Sequence, residues 1–149
     1  MSTQAMLELI LRHQMTFDFG EDGLADLCQH VHQLYARYDI ARLTTDMYLS
    51  DLTPAMRPAD AYAHIAHRTT ERVEVDQLEG RITVGLVTPY PPGIPLLIPG
   101  EVFNKKIVDY LKFAREFNAQ CPGFETDIHG LVEEEGPDGV RRYYADCVR

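Results

Sequence analysis

The chain has 149 residues, of which 45% are hydrophobic and 25% are charged; this composition is ordinary for one globular domain with enough length to bury a core. The formal net charge of −9 argues against nucleic-acid binding, which needs a basic surface, and it is compatible with attraction of cationic small molecules. The sequence contains no apolar run of the ~20 residues that span a bilayer, so we expect no membrane partner.

Helices are predicted throughout the first third of the chain. Thr3–Leu11 carries clustered apolar residues and predicts a short helix. Between Gly23 and Tyr38, apolar side chains recur at steps of three and four, which is the period of an amphipathic helix. One or two further helical turns are predicted for Ile40–Leu49. Two prolines within Ser50–Pro58 then indicate a connector.

The remainder of the chain mixes helices and strands. Pro58 suits the first turn of a helix that reaches Arg68, and Val73–Val75 alternates as a short strand. Arg81–Val87 is rich in β-branched residues and predicts another strand. Gly85, inside that strand, suggests a bulge or a close approach of another backbone segment.

The C-terminal part predicts one long helix and one hairpin. Asn104 is placed to cap a helix over Lys105–Ala119, and residues 129–134 and 140–148 flank the turn sequence Gly136–Gly139. The chain as a whole predicts an α+β fold. A helical N-terminal segment, residues 1–50, precedes a small mixed α+β domain with short antiparallel strands and a C-terminal hairpin, residues 51–149.

One stretch has an unusual composition. Thr88–Glu101 reads TPYPPGIPLLIPGE, with five prolines and two glycines in fourteen residues. Proline fixes φ and lacks an N–H donor, so the stretch is predicted to be neither helix nor central strand. It predicts a stiff, extended and mostly apolar loop that either holds a shape against a partner or packs as a crossover on the core.

Two motifs carry a family resemblance. GRITVGLVTPYPPGIPLLIPGE, at Gly80–Glu101, and CPGFETDIHG, at Cys121–Gly130, are similar in order and spacing to the C-terminal domain of bacterial ornithine/lysine/arginine decarboxylases. These are large pyridoxal-phosphate enzymes of the aspartate-aminotransferase fold type. The resemblance covers roughly Leu52–Arg149, and residues 1–50 would then be the end of the preceding domain and a linker.

The resemblance implies a chain that is not catalytic alone. The family holds pyridoxal phosphate on a lysine of a Ser-x-His-Lys segment in its large domain, and no histidine precedes any of the three lysines here, Lys105, Lys106 and Lys112. The chain would be the C-terminal portion of the enzyme, and it would complete the active-site mouth and the oligomer contacts. No cofactor is expected in this chain.

Three substrate-channel candidates follow from the position of the proline-rich loop near the family's active-site mouth. Tyr90 and Gly93 match motif positions near the substrate, and Glu101 is a weaker candidate for binding its distal amine or guanidinium. Each also has a structural interpretation: a packed tyrosine, a turn glycine, and a carboxylate that favours a helix N-terminus. In the second motif, His129 is expected to support the fold and Asp127 to bond backbone groups of a turn.

The resemblance also implies partners and a location. The parent protein would be a homodimer or a decamer in the cytoplasm that decarboxylates lysine, arginine or ornithine, and the PGFETDIHG segment looks closer to the lysine and arginine branch. The three cysteines share no metal-like spacing, and free thiols in a reducing compartment fit them best.

Two other classes of function remain open on the sequence. The chain could be a stand-alone, non-enzymatic interaction or regulatory domain derived from the same family. His64 and His67, spaced i and i+3, could alternatively form a metal pair, but no third ligand is evident and surface histidines are favoured, so no metal site is predicted. Cys28, His30 and His32 are expected to point in different directions from their helix.

Overall fold

The computed structural model describes residues 23–121 and 123–149, and the helix predicted at Thr3–Leu11 lies outside these ranges. The described helices are α1 (Gly23–Tyr38), α2 (Ile40–Tyr48), α3 (Pro58–Ala66) and α4 (Lys105–Gln120). The described strands are β1 (Thr70–Glu74), β2 (Thr88–Tyr90), β3 (Asp127–His129), β4 (Leu131–Glu135) and β5 (Arg141–Val148). The predicted α+β class with a C-terminal hairpin is therefore confirmed.

Strand β5 is the centre of a three-stranded antiparallel sheet in the order β1-β5-β4. Alternate residues of β5 are buried, namely Tyr143, Ala145 and Cys147, because successive side chains of a strand point to opposite faces. The hairpin between β4 and β5 closes where the Gly136 N–H donates to the Val140 carbonyl at 2.9 Å. One face of this sheet thus belongs to the core.

Helix α4 supplies most of the other half of the core. It begins as predicted, since the Asn104 side-chain oxygen accepts a hydrogen bond from the Ile107 N–H at 2.9 Å, which satisfies one of the free donors of the first turn. Its buried side chains are Ile107, Val108, Tyr110, Leu111, Phe113, Ala114, Phe117 and Asn118. Each large apolar side chain contributes about 1.5–3 kcal/mol of hydrophobic stabilisation when fully buried.

Helices α1 and α2 pack on the same core. The Tyr35 ring of α1 stacks on Phe117 of α4 with centroids 5.6 Å apart, and Tyr38 contacts Phe113 edge-on at 5.2 Å. Met47 of α2 is buried in the same hydrophobic cluster. The division of the chain at residue 50 stays a prediction.

The strand predicted at Arg81–Val87 is wrong. The segment is extended, but its backbone groups pair with several different parts of the chain in isolated bridges. The Thr83 N–H donates to the Glu101 carbonyl at 3.0 Å, whereas the adjacent Val84 N–H donates to Asp146 at 3.2 Å. A propensity for extended structure is therefore satisfied without a continuous ladder, and sequence composition does not distinguish the two cases.

Two smaller expectations also need correction. The strand predicted at Val73–Val75 is Thr70–Glu74, and Val75 instead begins a short 3₁₀ helix. A Cβ placed on Gly85 would meet nothing within 4 Å, so no backbone segment lies close enough on the Cβ side to require a glycine here.

Candidate functional site

The two sequence motifs pair directly with each other. β2 lies in the proline-rich motif and β3 in the second motif, and they form a separate two-stranded antiparallel ribbon. Its register places Thr88 opposite His129 and Tyr90 opposite Asp127. Residues about 40 positions apart in the sequence are therefore neighbours in one structural unit.

The ribbon has one buried face, and its other face is exposed except at Thr88, which is buried. Pro89 and Ile128 lie opposite each other and are both buried. On the other face Tyr90 is 61% exposed, and the side chains of Asp127 and His129 are 71% and 64% exposed. We call these three residues the ribbon face. The Asp127 carboxylate lies 3.4 Å from His129 Nε2, so this pair occurs within the strand and not in a turn.

Gly130 allows the ribbon to lie close to the preceding backbone. Its φ is +92°, and a Cβ at this position would overlap the carbonyl oxygen of Leu86. Only glycine tolerates both the left-handed conformation and the close approach. The close backbone contact suspected at Gly85 is thus found one residue later, at Leu86, and the glycine that permits it belongs to the second motif.

The proline-rich loop continues from the ribbon and is fixed at its centre. Leu96 and Leu97 are buried, and the Leu96 N–H donates to the Val87 carbonyl at 2.8 Å. Ile94 and Ile98 on either side are exposed. The loop therefore packs on the core through part of its apolar surface and presents the other part outward.

Gly93 turns the loop back toward Tyr90. Its φ is +84°, its N–H donates to the Pro89 carbonyl at 2.9 Å, and an added Cβ would lie 3.4 Å from Cδ2 of the Tyr90 ring. Two of the three candidate residues are thus neighbours, and Gly93 has the turn-forming conformation that was the alternative interpretation of this residue.

Glu101 is used differently. Its Oε2 accepts a hydrogen bond from the Ile98 N–H at 2.8 Å, which closes the turn at the far end of the loop. Among the described residues, the Glu101 carboxylate forms no hydrogen bond with Tyr90 or Gly93. The helix that follows is capped by the Asn104 side chain.

A largely apolar cleft of about 520 Å³ lies between α1, the end of α4 and the two motifs. Its lining residues are Leu27, Cys28, Val31, His32, Tyr35, Pro91, Phe117, Phe124, Glu125 and Thr126. Cys28 and His32 both line it, because residues at i and i+4 share one helix face. The expectation that these two side chains diverge is therefore wrong.

The described residues contain no group of three or more histidine, cysteine or acidic side chains arranged to hold a metal ion. His64 Nδ1 instead lies 2.8 Å from the Thr69 hydroxyl. The cysteines at 28, 121 and 147 are all free thiols. Among the described helices, none is long and apolar enough to cross a membrane.

The lysines do not fit a pyridoxal-phosphate Schiff base, which needs a desolvated amine with a lowered pKa. All three lie on α4 beside carboxylates. Lys105 Nζ is 2.7 Å from Asp109, Lys112 is 3.5 Å from Asp76, and Lys106 is 3.9 Å from Asp46. The hydrogen bond that Lys105 donates to Asp109 raises the pKa of Lys105, which is the opposite of what a nucleophilic amine needs. As they are placed in the described part of the chain, these three lysines do not meet the requirement for a Schiff base.

The geometry defines a small α+β domain in which two loop motifs form one ribbon with an exposed polar face. A family model described as "Orn/Lys/Arg decarboxylase, C-terminal domain" matches residues 41–149. The chain belongs to this family.

Individual relatives agree with the family match. The lysine decarboxylase LdcA of Pseudomonas aeruginosa is 42% identical over 130 residues, which cover 85% of this chain. The constitutive ornithine decarboxylase of Escherichia coli K12 is 34% identical over 123 residues, or 81% of the chain. The solved structure of lysine decarboxylase A from P. aeruginosa superposes with a TM-score of 0.74 at 41% identity, and covers 80% of this chain and 16% of that one. The chain spans 17% of the length of each of these two curated relatives.

Proposed function

We propose that this chain works as the C-terminal portion of a pyridoxal-phosphate-dependent decarboxylase that acts on a basic amino acid. The observation that carries the proposal is the family match over residues 41–149, together with relatives that are decarboxylases about six times longer than the matched region. The three lysines of this chain are unsuited to a Schiff base with the cofactor, which supports the same proposal. In the intact enzyme, the cofactor would be held by a different part of the polypeptide.

Lysine is the proposed substrate, with arginine and ornithine as the alternatives. The relative named as a lysine decarboxylase is 42% identical to this chain, against 34% for the relative named as an ornithine decarboxylase. The reaction would release carbon dioxide and leave a diamine, or agmatine in the case of arginine.

The contribution of this chain would be at the mouth of the active site. We place Tyr90 and Gly93 along the substrate channel, because they are adjacent at the exposed end of the ribbon. Glu101 is the third proposed channel residue, although its bond to Ile98 N–H leaves it less available.

The exposed apolar side chains would contact the rest of the decarboxylase. Ile94, Ile98 and Phe124 are exposed near the two motifs, and apolar surface of this kind marks interaction sites. We propose that the rest of the polypeptide covers this surface, and that the intact enzyme assembles as a homodimer or a decamer. A reducing cytoplasmic location is consistent with three free thiols.

The test compares the complete polypeptide that contains this chain with the 149-residue chain alone. Each purified protein is mixed with pyridoxal phosphate, and the absorbance near ~420 nm reports the internal Schiff base formed by a lysine. Release of carbon dioxide is then measured with lysine, arginine and ornithine. We expect the absorbance and the release of carbon dioxide only from the complete polypeptide, and neither from the 149-residue chain. Schiff-base formation and turnover by the short chain would refute the proposal, as would a complete polypeptide that decarboxylates none of the three amino acids.

A matched pair of variants tests the role of Tyr90. Tyr90→Ala in the complete polypeptide is expected to lower kcat/KM by about tenfold, the effect of losing roughly 1.4 kcal/mol of transition-state binding. Tyr62→Ala serves as the control, because Tyr62 on α3 is 66% exposed and lies outside both motifs. Equal effects of the two substitutions would remove Tyr90 from the channel.

A further inference from the structure

The second motif places two polar side chains, Asp127 and His129, on the exposed side of the ribbon. We propose that Asp127 binds the cationic end of the basic substrate as it enters the active site, with the Tyr90 ring beside it. This inference rests on the proposed function and deepens it: the ligand class is an aliphatic amino acid with a distal ammonium or guanidinium group.

The register of the ribbon brings the ring and the carboxylate together. Tyr90 and Asp127 are directly opposite each other in the antiparallel ribbon, where facing Cα atoms lie about 4.5–5.5 Å apart and the two side chains project from the same face. The opposite face is closed by Pro89 and Ile128. An aromatic ring and a carboxylate are thus presented together and outward, although they come from different motifs.

The Asp127 carboxylate is available to an external cation. Within residues 23–121 and 123–149, His129 Nε2 lies 3.4 Å from the Asp127 carboxylate, and no lysine or arginine side chain reaches that carboxylate. Asp76 shows the contrast, because Arg115 lies 2.8 Å and Lys112 3.5 Å from its oxygens. Asp127 therefore keeps acceptor sites for an external cation, and His129 orients the carboxylate from one side.

The other candidate carboxylate, that of Glu101, already accepts a hydrogen bond within the chain. From the sequence, Glu101 is the residue expected to bind the distal cation. In the structure its Oε2 accepts the Ile98 N–H within a turn, so binding a substrate cation there would compete with the bond that closes the loop. Asp127 carries the same charge without that competition.

The chemistry fits a basic side chain. A carboxylate forms charge-assisted hydrogen bonds with ammonium and guanidinium groups, and the face of an aromatic ring attracts the same cations. A ring and a carboxylate held side by side can therefore contact one cation together. An uncharged amino acid of similar length would gain nothing from Asp127, so the site would favour basic over neutral side chains.

The test uses the complete polypeptide with Asp127→Asn, which removes the charge and keeps the shape. We expect KM for the basic amino acid to rise about tenfold with kcat within about twofold, because the substitution weakens a hydrogen bond to a charged group and a tenfold change corresponds to about 1.4 kcal/mol. Asp127→Glu is expected to recover part of the loss. Glu135→Gln is the matched control for loss of a carboxylate, because Glu135 is exposed on β4 and lies outside both motifs, and its KM should stay within about twofold.

A second readout separates charge recognition from a structural effect. Inhibition constants are measured for a linear diamine and for 2-aminohexanoate, which lacks the distal charge. Asp127→Asn should weaken the diamine about tenfold and leave 2-aminohexanoate unchanged.

Equal weakening of both inhibitors, or unchanged KM in Asp127→Asn, would overturn the role of Asp127 while the proposed function stands. A different result would refute the proposed function, namely a wild-type complete polypeptide that decarboxylates no basic amino acid.

Discussion

Helix α4 with its sheet and the β2–β3 ribbon with its proline loop use their side chains in opposite ways. Most residues of α4 that face the sheet are buried, including Leu111 at 1% exposure. The ribbon closes one face with Pro89 and Ile128 and leaves Tyr90, Asp127 and His129 exposed. The first region is therefore organised to stabilise the fold, and the second to present a surface.

The backbone shows the same contrast. Helix α4 is a regular element that any amphipathic sequence with a good cap could form. The ribbon region instead requires Gly130 beside Leu86 and Gly93 in a left-handed turn. These specific backbone requirements lie next to exposed side chains. They indicate that the backbone conformation serves to hold those side chains in position, which is typical of binding sites.

The largest expected effect lies in the core. Phe103 is fully buried, and Phe103→Ala should lower the free energy of unfolding by about 3–5 kcal/mol, through lost transfer energy and a cavity. Ile94→Ala, on the exposed side of the loop, should cost less than about 1 kcal/mol. Urea unfolding of both variants measures the difference, and comparable costs would contradict the division into core and surface regions.

The next effect tests the backbone of the ribbon. Gly130→Ala should destabilise by about 3 kcal/mol, because the new Cβ adds a backbone clash to an unfavourable φ. Gly139 also has a positive φ, +73°, but a Cβ there meets nothing within 4 Å, so Gly139→Ala should cost only about 1 kcal/mol. Thermal unfolding compares the two, and a Gly130→Ala variant as stable as Gly139→Ala would mean that the ribbon can shift away from Leu86.

A smaller effect is expected at the start of α4. Asn104→Ala removes the cap and should cost about 1 kcal/mol. Ser50→Ala leaves the cap in place and removes two partly buried bonds of Ser50 Oγ, which accepts from Asn104 Nδ2 at 2.9 Å and donates to the Met47 carbonyl at 2.8 Å. It should cost about 0.5 kcal/mol. Urea midpoints of the two variants check the order, and the reverse order would show that the link to Ser50 matters more than the cap.

The smallest effect appears only at high pH. Burial, with a minor contribution from nearby tyrosines, raises the pKa of Tyr110 to about 12 from the usual 10.0. The unfolded chain therefore loses this proton first, so the stabilisation that is complete below pH 10 declines as the pH rises toward 12. Tyr110→Phe should make the fall in unfolding free energy over this range shallower. Burial also raises the pKa of Cys147 to about 11. Part of the dependence of the unfolding free energy on pH would therefore remain in the variant. If the unfolding free energy fell equally steeply with pH in wild type and in Tyr110→Phe, Tyr110 would not be the cause of the fall.

Much of the fold could be predicted because its signals are local. The periodicity between Gly23 and Tyr38, the cap at Asn104 and the turn at Gly136–Gly139 each specify an element from neighbouring residues. Arg81–Val87 could not be predicted, since whether an extended segment becomes a strand depends on partners elsewhere in the chain.

The candidate site was predictable only in part, for a related reason. The motifs predict Tyr90 and Gly93 as channel residues, and these two residues are neighbours in the structure. The sequence alone could not reveal that the proline motif pairs with β3, so Asp127 and His129 were expected to be structural. The alternation of Asp127, Ile128 and His129 carried a signal for one exposed face, but a three-residue strand is too short to be recognised by its period.

The most direct test of the account is a double-mutant cycle on Tyr90 and Asp127 in the complete polypeptide. Values of kcat/KM for the basic amino acid are measured for wild type, Tyr90→Ala, Asp127→Asn and the double variant. If the ring and the carboxylate bind one cation together, the double variant should lose less than the product of the two single effects, with a coupling of about 0.5–3 kcal/mol. Independent effects that multiply without coupling would contradict a shared substrate site on the paired motifs.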